Sequence, residues 1–303
     1  APGRAPYSTA RAETDAVEIL SGLHGGRTTG SPLCGMIRNT GAHPGEYGRL
    51  LRPGHADWTA LLKYKGHADM RGGGHFSGRL TAPLVFAGAL AKQILGRRGV
   101  RVFGRVASAG GVEDMAPPIT PEEWAHVSMS PFPASEAARE AMIGAIMAAK
   151  GEGDSVGGVV EAVAFGVPGG HGGPFFGSFE SVAASLLFSI PGVKGVEFGA
   201  GFRLAHMRGS EANDGICAEG GHIRSHTNNS GGILGGISNG MPIVTRIVVK
   251  PTASIAKRQH TVDPETMENA ELEIKGRHDP CIAPRATPVA EAALALSVLE
   301  CME

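Results

Sequence analysis

Glycine occupies 46 of the 303 positions, about 15% where ~7% is usual. Much of it comes in short runs, at 72–74, 231–232 and 235–236. An ordered glycine gives up more conformational freedom than any other residue, so such runs are held in place for a reason. Two reasons are available: tight turns, and backbone laid directly against a ligand. The glycines follow no three-residue period, which excludes a collagen-like helix. A hydrophobic fraction of 42% and a net charge of −1 exclude a disordered chain. The same near-zero charge provides no global field to gather nucleic acid or an anionic membrane, so any anion site must be local.

The length suits about two domains or one large one. The four cysteines, Cys34, Cys217, Cys281 and Cys301, contain no CxxC pair. They read as free thiols of a reducing, cytoplasmic compartment rather than a disulfide framework. No apolar run reaches the ~18 residues of a membrane span. The opening Ala-Pro-Gly-Arg-Ala-Pro is neither a signal peptide nor an initiator, and the chain reads as one that begins partway through a protein.

Periodicity places a strand or helix start over 13–20 and strands over 33–38, 99–108, 155–167, 195–207 and 243–249. Residues 39–58 read as loop. Helices are expected over 83–97, 134–150, 179–190 and 286–301. Thr81 stands as candidate N-cap of the first, with Pro83 in its first turn. Ser135 caps the second and Gly151 terminates it. No solenoid period and no linker interrupt the chain, so one compact α/β or α+β unit is expected.

Five segments combine glycine with polar groups: Arg52-Pro-Gly-His55-Ala-Asp57, Arg71-Gly-Gly-Gly-His75-Phe76-Ser77-Gly-Arg79-Leu-Thr81, the run 227–240 (TNNSGGILGGISNG), Lys250-Pro251-Thr252-Ala253-Ser254, and Lys275-Gly-Arg277-His278-Asp279-Pro-Cys281. The second runs into a helix N-terminus, whose N–H groups and dipole suit a phosphate; a plain strand-to-helix connection explains it equally well. The fourth offers a lysine and two hydroxyls to a phosphate or a ring-edge oxygen, or is a strand end with a solvated lysine. His55 and His278 each lie close to an aspartate, as a proton-shuttling imidazole would. A Walker A loop is absent, and a Rossmann reading has little support. HxxxH and HExxH spacings are missing and the cysteines are scattered, so no metal site is expected. Neither Gly177-Ser178 nor Gly209-Ser210 makes a nucleophile elbow.

Taken in order, RPGHAD, RGGGHFSGR, EGDSVGGVVE (152–161), SIPGVKGVEFGAGF (189–202), TNNSGGILGGISNG, KPTASI and KGRHDPC resemble the signatures of the chorismate synthase family, and the likeness spans 1–303. It implies an α+β fold of the β-α-β sandwich type in a single large domain, and a carbon–oxygen lyase. The reaction would be a 1,4-anti elimination of phosphate from 5-enolpyruvylshikimate 3-phosphate, giving chorismate for aromatic amino acids. It also implies reduced FMN, NADPH as reductant in members that reduce their own flavin, and a homotetramer, with neither nucleic acid nor membrane as partner.

The same resemblance implies residue roles. His55 matches an acid–base histidine, and Asp279 an aspartate that assists proton movement. His75, Phe76, Ser77, Pro191, Gly192, Gly235, Lys250, Pro251, Thr252, Ala253, Ser254 and Arg277 match flavin contacts. Many members carry Arg-Ser-Ser where this chain has His75-Phe76-Ser77. Arg4, Arg11, Arg52, Arg71 and Arg79 are candidates for the substrate's phosphate and carboxylates. The family's opening strand and FGESHG-type motif find no match, so a chain truncated there is expected not to turn over. That leaves a flavin-holding scaffold without turnover as the competing expectation. An unrelated nucleotide-binding protein would rest on the glycine loops alone.

Overall fold

The computed structural model describes residues 5, 7–8, 15–39, 48, 50–69, 73–130, 132–274 and 279–303. Its helices are α1 (Asp57–Lys63), α2 (Thr81–Arg97), α3 (Pro121–Ser128), α4 (Glu136–Gly151), α5 (Phe179–Phe188), the single turn α6 (Gly209–Ala212) and α7 (Ala283–Met302). The chain forms two compact units, each gathered from three separate stretches. The first comprises Ala1–Pro83, Ile143–Val156 and Pro251–Cys281; the second comprises Leu84–Met142, Gly157–Lys250 and Ile282–Glu303.

The second unit is built on an antiparallel sheet of five strands. Its order is Val112–Glu113, Arg101–Ala109, Gly158–Phe165, Ile243–Val249, Val193–Phe198. Alternation explains the pattern. In Ile243–Val249 every second side chain is buried, as expected of a strand with one face on a core. That face meets α7, whose Ala286, Ala290, Ala293, Leu294 and Val298 are buried. Small residues let the layers close. A side chain on Gly88 of α2 would overlap Ala292 of α7.

The other face of the sheet carries a row of alternating charge. Arg105, Glu161, Arg246 and Glu197 sit opposite one another on four adjacent strands. Arg105 reaches Glu161 at 2.8 Å and Asp114 at 2.9 Å; Arg246 reaches Glu161 at 3.1 Å and Glu197 at 2.6 Å. Trp124 of α3 lies with its ring 5.7 Å from the Arg105 guanidinium carbon. Cross-strand pairs of opposite sign support the register, and a one-residue slip would place like faces wrongly along every strand.

The antiparallel pairs of the first unit include Val17–Ser21 with Cys34–Ile37 and Gln259–Val262 with Asn269–Leu272. The unit also holds α1 and the C-terminal part of α4. Leu51 N–H donates to the Val262 carbonyl at 3.5 Å, and the Thr261 hydroxyl donates to the Leu51 carbonyl. These bonds dock the 51–56 turn on the second hairpin.

Both units mix antiparallel strands with helices, the α+β class implied by the sequence. The expected helices and the 243–249 strand are present. Three expectations need correction. The strand expected over 195–207 ends at Phe198, because Gly199 and Gly201 take left-handed backbone (φ +56° each) and turn the chain into a 3-10 helix, Gly201–His206. Asp57 and Trp58, read as loop, open α1. Thr81 does not cap α2. A 3-10 turn, Gly78–Leu80, feeds straight into the helix, Thr81 donates its hydroxyl back to the Gly78 carbonyl at 2.6 Å, and Ser77 receives the Arg79 N–H. Ser135 does accept from the Ala138 N–H, at 3.4 Å. No helix among the described residues is long and apolar enough to cross a membrane.

Candidate active site

In the first unit the RPGHAD segment makes a densely bonded cluster. Arg52 and Asp57 are buried, with side chains 4% and 6% exposed. The Asp57 carboxylate accepts from the Arg52 backbone N–H at 2.9 Å, from Arg52 Nε at 2.7 Å and from Arg52 Nη2 at 2.7 Å. It also lies 2.6 Å from His55 Nδ1. Burial alone would push the Asp57 carboxyl up, but the bonds from Arg52 and His55 outweigh it and hold the group well below the usual carboxylate range. Arg52 Nη2 also approaches His55 Nδ1, at 3.1 Å. One ring nitrogen cannot accept from arginine and donate to aspartate at once. The shorter contact, to a carboxylate that can only accept, places the proton on Nδ1. In the neutral ring His55 Nε2 is then the lone-pair nitrogen.

A pocket of about 400 Å³ adjoins this cluster. It is lined by Arg52, His55, Trp58, His260, Thr261 and Asn269 among others. His55 is thus held from behind by a carboxylate and borders a cavity of ligand size. The HAD spacing in the sequence carries this arrangement. His260 carried no such signal, since the hairpin that brings it to the pocket is some 200 residues away along the chain.

The glycine-loop segment of the first unit is described from Gly73 onward. Several of its amides bond within the stretch: Phe76 N–H donates to the Gly73 carbonyl, Ser77 N–H to the Gly74 carbonyl and Leu80 N–H to the Ser77 carbonyl, at 2.9–3.2 Å. His75 is exposed, Phe76 and Ser77 half-buried. Arg79 Nη1 donates to Asn39 Oδ1 at 3.1 Å. Elsewhere in the unit Thr252 and Asp279 meet, the threonine hydroxyl donating to the Asp279 carbonyl at 2.8 Å. Ser155, from the EGDSVGG segment, donates to the Thr252 carbonyl at 2.8 Å. Pro251 is exposed, and Ala253 and Ser254 are half-buried beside them.

In the second unit Lys250 closes on the IPG turn: its N–H donates to the Gly192 carbonyl at 3.0 Å. Gly192 follows Pro191 with φ +89°. The TNNSGG loop of the same unit is fastened by Asp214. Its carboxylate accepts from Thr227 Oγ1 at 2.6 Å, Asn229 N–H at 2.7 Å and Ser230 N–H at 2.8 Å. Burial works to raise this carboxyl, and the bonds from Thr227, Ser230 and Asn229 bring it below the usual range. Asp214 escaped the sequence reading because only folding brings it beside a loop 13 to 16 residues on. Past that loop the hairpin turn exposes Gly235, at φ +61°, where a side-chain carbon would meet nothing within 4 Å. Its neighbour Gly236 instead abuts the Gly173 carbonyl. Within the second unit, open backbone at Gly235 would admit a flat ring, and Lys250, beside Gly192, offers a cation to a phosphate. The residues present are thus compatible with a flavin nucleotide.

Arg4, Arg11, Arg71, Arg277 and His278 lie outside the described residues. Among the described residues no group of three or more His, Cys, Asp or Glu side chains is arranged to hold a metal ion.

Comparison with known proteins agrees with these features. A family model described as chorismate synthase matches residues 1–302. The chain is 51% identical over 296 residues to the chorismate synthase of Aeropyrum pernix, covering 96% of this chain and 78% of that one. It is 48% identical over 304 residues to that of Korarchaeum cryptofilum, covering 99% and 84%. A crystal structure of chorismate synthase superposes with a TM-score of 0.73 at 30% identity, over 94% of this chain and 77% of that one. On the strength of the segment order, the fold and these likenesses, the chain belongs to the chorismate synthase family.

Proposed function

We propose that this protein converts 5-enolpyruvylshikimate 3-phosphate to chorismate, with FMN in its reduced form as cofactor. The C–O bond to phosphate and one C–H bond break across a 1,4 relationship, and a new double bond forms. A bound reduced flavin would supply transient electron density to this elimination, with no net redox change. The observation that carries the reading is the Arg52–Asp57–His55 cluster beside its pocket. Asp57 keeps the His55 proton on Nδ1, which leaves Nε2 able to take a proton and return it.

The other roles follow from the family and from where the side chains lie. Asp279, tied through its carbonyl to Thr252, serves proton movement. His75, Phe76, Ser77, Pro191, Gly192, Gly235, the run Lys250 to Ser254 and Arg277 hold the flavin. Arg4, Arg52, Arg71 and Arg79 serve the substrate's phosphate and carboxylates, and fixed positive charge assists phosphate departure. Arg52 does so through its effect on Asp57 and His55 as well as by its charge. Residues 1–303 act as one functional domain, a reading supported by the unbroken family match. The protein is cytoplasmic and assembles as a homotetramer, and NADPH serves as reductant where the flavin is not supplied reduced.

The test is an anaerobic assay with purified protein, chemically reduced FMN and 5-enolpyruvylshikimate 3-phosphate. Chorismate formation is expected. Its absence from a full-length chain would refute the assignment. Repeating the assay with FMN and NADPH, without external reductant, tests the NADPH reading separately.

A further inference from the structure

Helix α1 is seven residues long, yet both of its ends hold an imidazole. Its first residue, Asp57, holds His55 from the Nδ1 side. The residue that closes its other end, Tyr64, donates its N–H to the Ala60 carbonyl at 2.9 Å. The Tyr64 hydroxyl lies 3.1 Å from His75 Nε2. The two rings meet edge to face, with centroids 5.4 Å apart and planes at 89°. Phe76 also packs against the imidazole, at 4.2 Å and 38°, and its ring lies 6.5 Å from that of Tyr64. His75 is exposed, and an exposed side chain keeps its rotamers unless contacts remove them. Here two aromatic rings and a hydroxyl fix one orientation.

We propose that Tyr64 is a positioning residue for His75. The phenol O–H donates to Nε2, which keeps the proton of the neutral ring on Nδ1 and presents that N–H to an oxygen of a bound phosphorylated ligand. The ligand half of this proposal rests on the flavin-dependent reading above. The phosphate oxygen can belong to FMN or to the substrate, and the two are separated by experiment.

Tyr64→Phe keeps the ring and removes only the hydroxyl. Protein labelled with 15N-histidine reports the tautomer of His75 directly, without ligand. The wild type is expected to show the Nδ1–H form, and the variant a shift toward the Nε2–H form. FMN affinity is read from flavin fluorescence, and 5-enolpyruvylshikimate 3-phosphate affinity by calorimetry with FMN present. One of the two is expected to weaken about three- to tenfold, the range of a single hydrogen bond. The loss should vanish when Tyr64→Phe is made in a His75→Ala background. Unchanged His75 nitrogen shifts in Tyr64→Phe would overturn the positioning role. An equal loss in the His75→Ala background, or no loss for either ligand, would overturn the contact to phosphate. If the wild type binds neither ligand, the flavin-dependent reading falls and takes the ligand half with it. The nitrogen shifts still decide the Tyr64–His75 bond.

Discussion

Replacing Asp57 with asparagine tests the core of the active-site reading. The carboxylate accepts three bonds from Arg52 and faces His55 Nδ1, and both members of the ion pair are almost wholly buried. Asparagine has one acceptor oxygen, and its NH2 group would point a donor at the donors of Arg52 or His55. Removing one partner from a buried pair leaves the other charge uncompensated, which costs about 3–5 kcal/mol. Urea unfolding at pH 7, followed by circular dichroism, should show a loss of that size with an unchanged m-value. The pH dependence supplies a second reading. The Asp57 carboxyl is held below its usual range in the folded protein, so as pH falls the unfolded chain takes up the proton first. The stabilisation is therefore complete above the ordinary aspartate pKa of ~3.9 and fades below it. The gap between wild type and Asp57→Asn should be constant from pH 7 to about 5 and shrink below about 4. A loss under about 1 kcal/mol at pH 7, or a gap that widens in acid, would refute the account.

Other substitutions test separate parts. His55→Gln removes the proposed proton carrier and should lower kcat about 10²- to 10⁴-fold, with FMN affinity, read by flavin fluorescence, within about twofold of wild type. Lys250→Ala and Arg277→Ala should each weaken FMN binding about tenfold or more, as expected when a charge-assisted hydrogen bond is lost; unchanged affinity in both would contradict the flavin assignment. Gly88→Val forces a side chain into Ala292 of α7. It should cost about 1–3 kcal/mol or more by overpacking, read as a lowered Tm.

How far each feature could be read along the chain depended on its range. The helix over 134–150 and the strand over 243–249 carry their own periodicity and composition, and they form where expected. The 195–207 strand was misread because alternation continues past Phe198, whereas the backbone turns at Gly199 and Gly201. Hydrophobicity does not report left-handed φ. Asp57 was placed near His55 by a two-residue spacing. Tyr64 and Asp214 left no trace, because each acts on a loop 11 to 16 residues further on.

The glycine runs show the same division. Their abundance and the order of the motifs around them, local properties of the chain, were enough to identify the family and the chemistry it brings. Only the tertiary structure decided what each run does. The amides of Phe76, Ser77 and Leu80 bond within their own loop. The TNNSGG loop is pinned by a distant aspartate, and Gly235 presents open backbone while its neighbour Gly236 abuts a carbonyl. The physical reason is that a glycine's role is set by which atoms lie beside it, and those neighbours come from segments far apart in sequence.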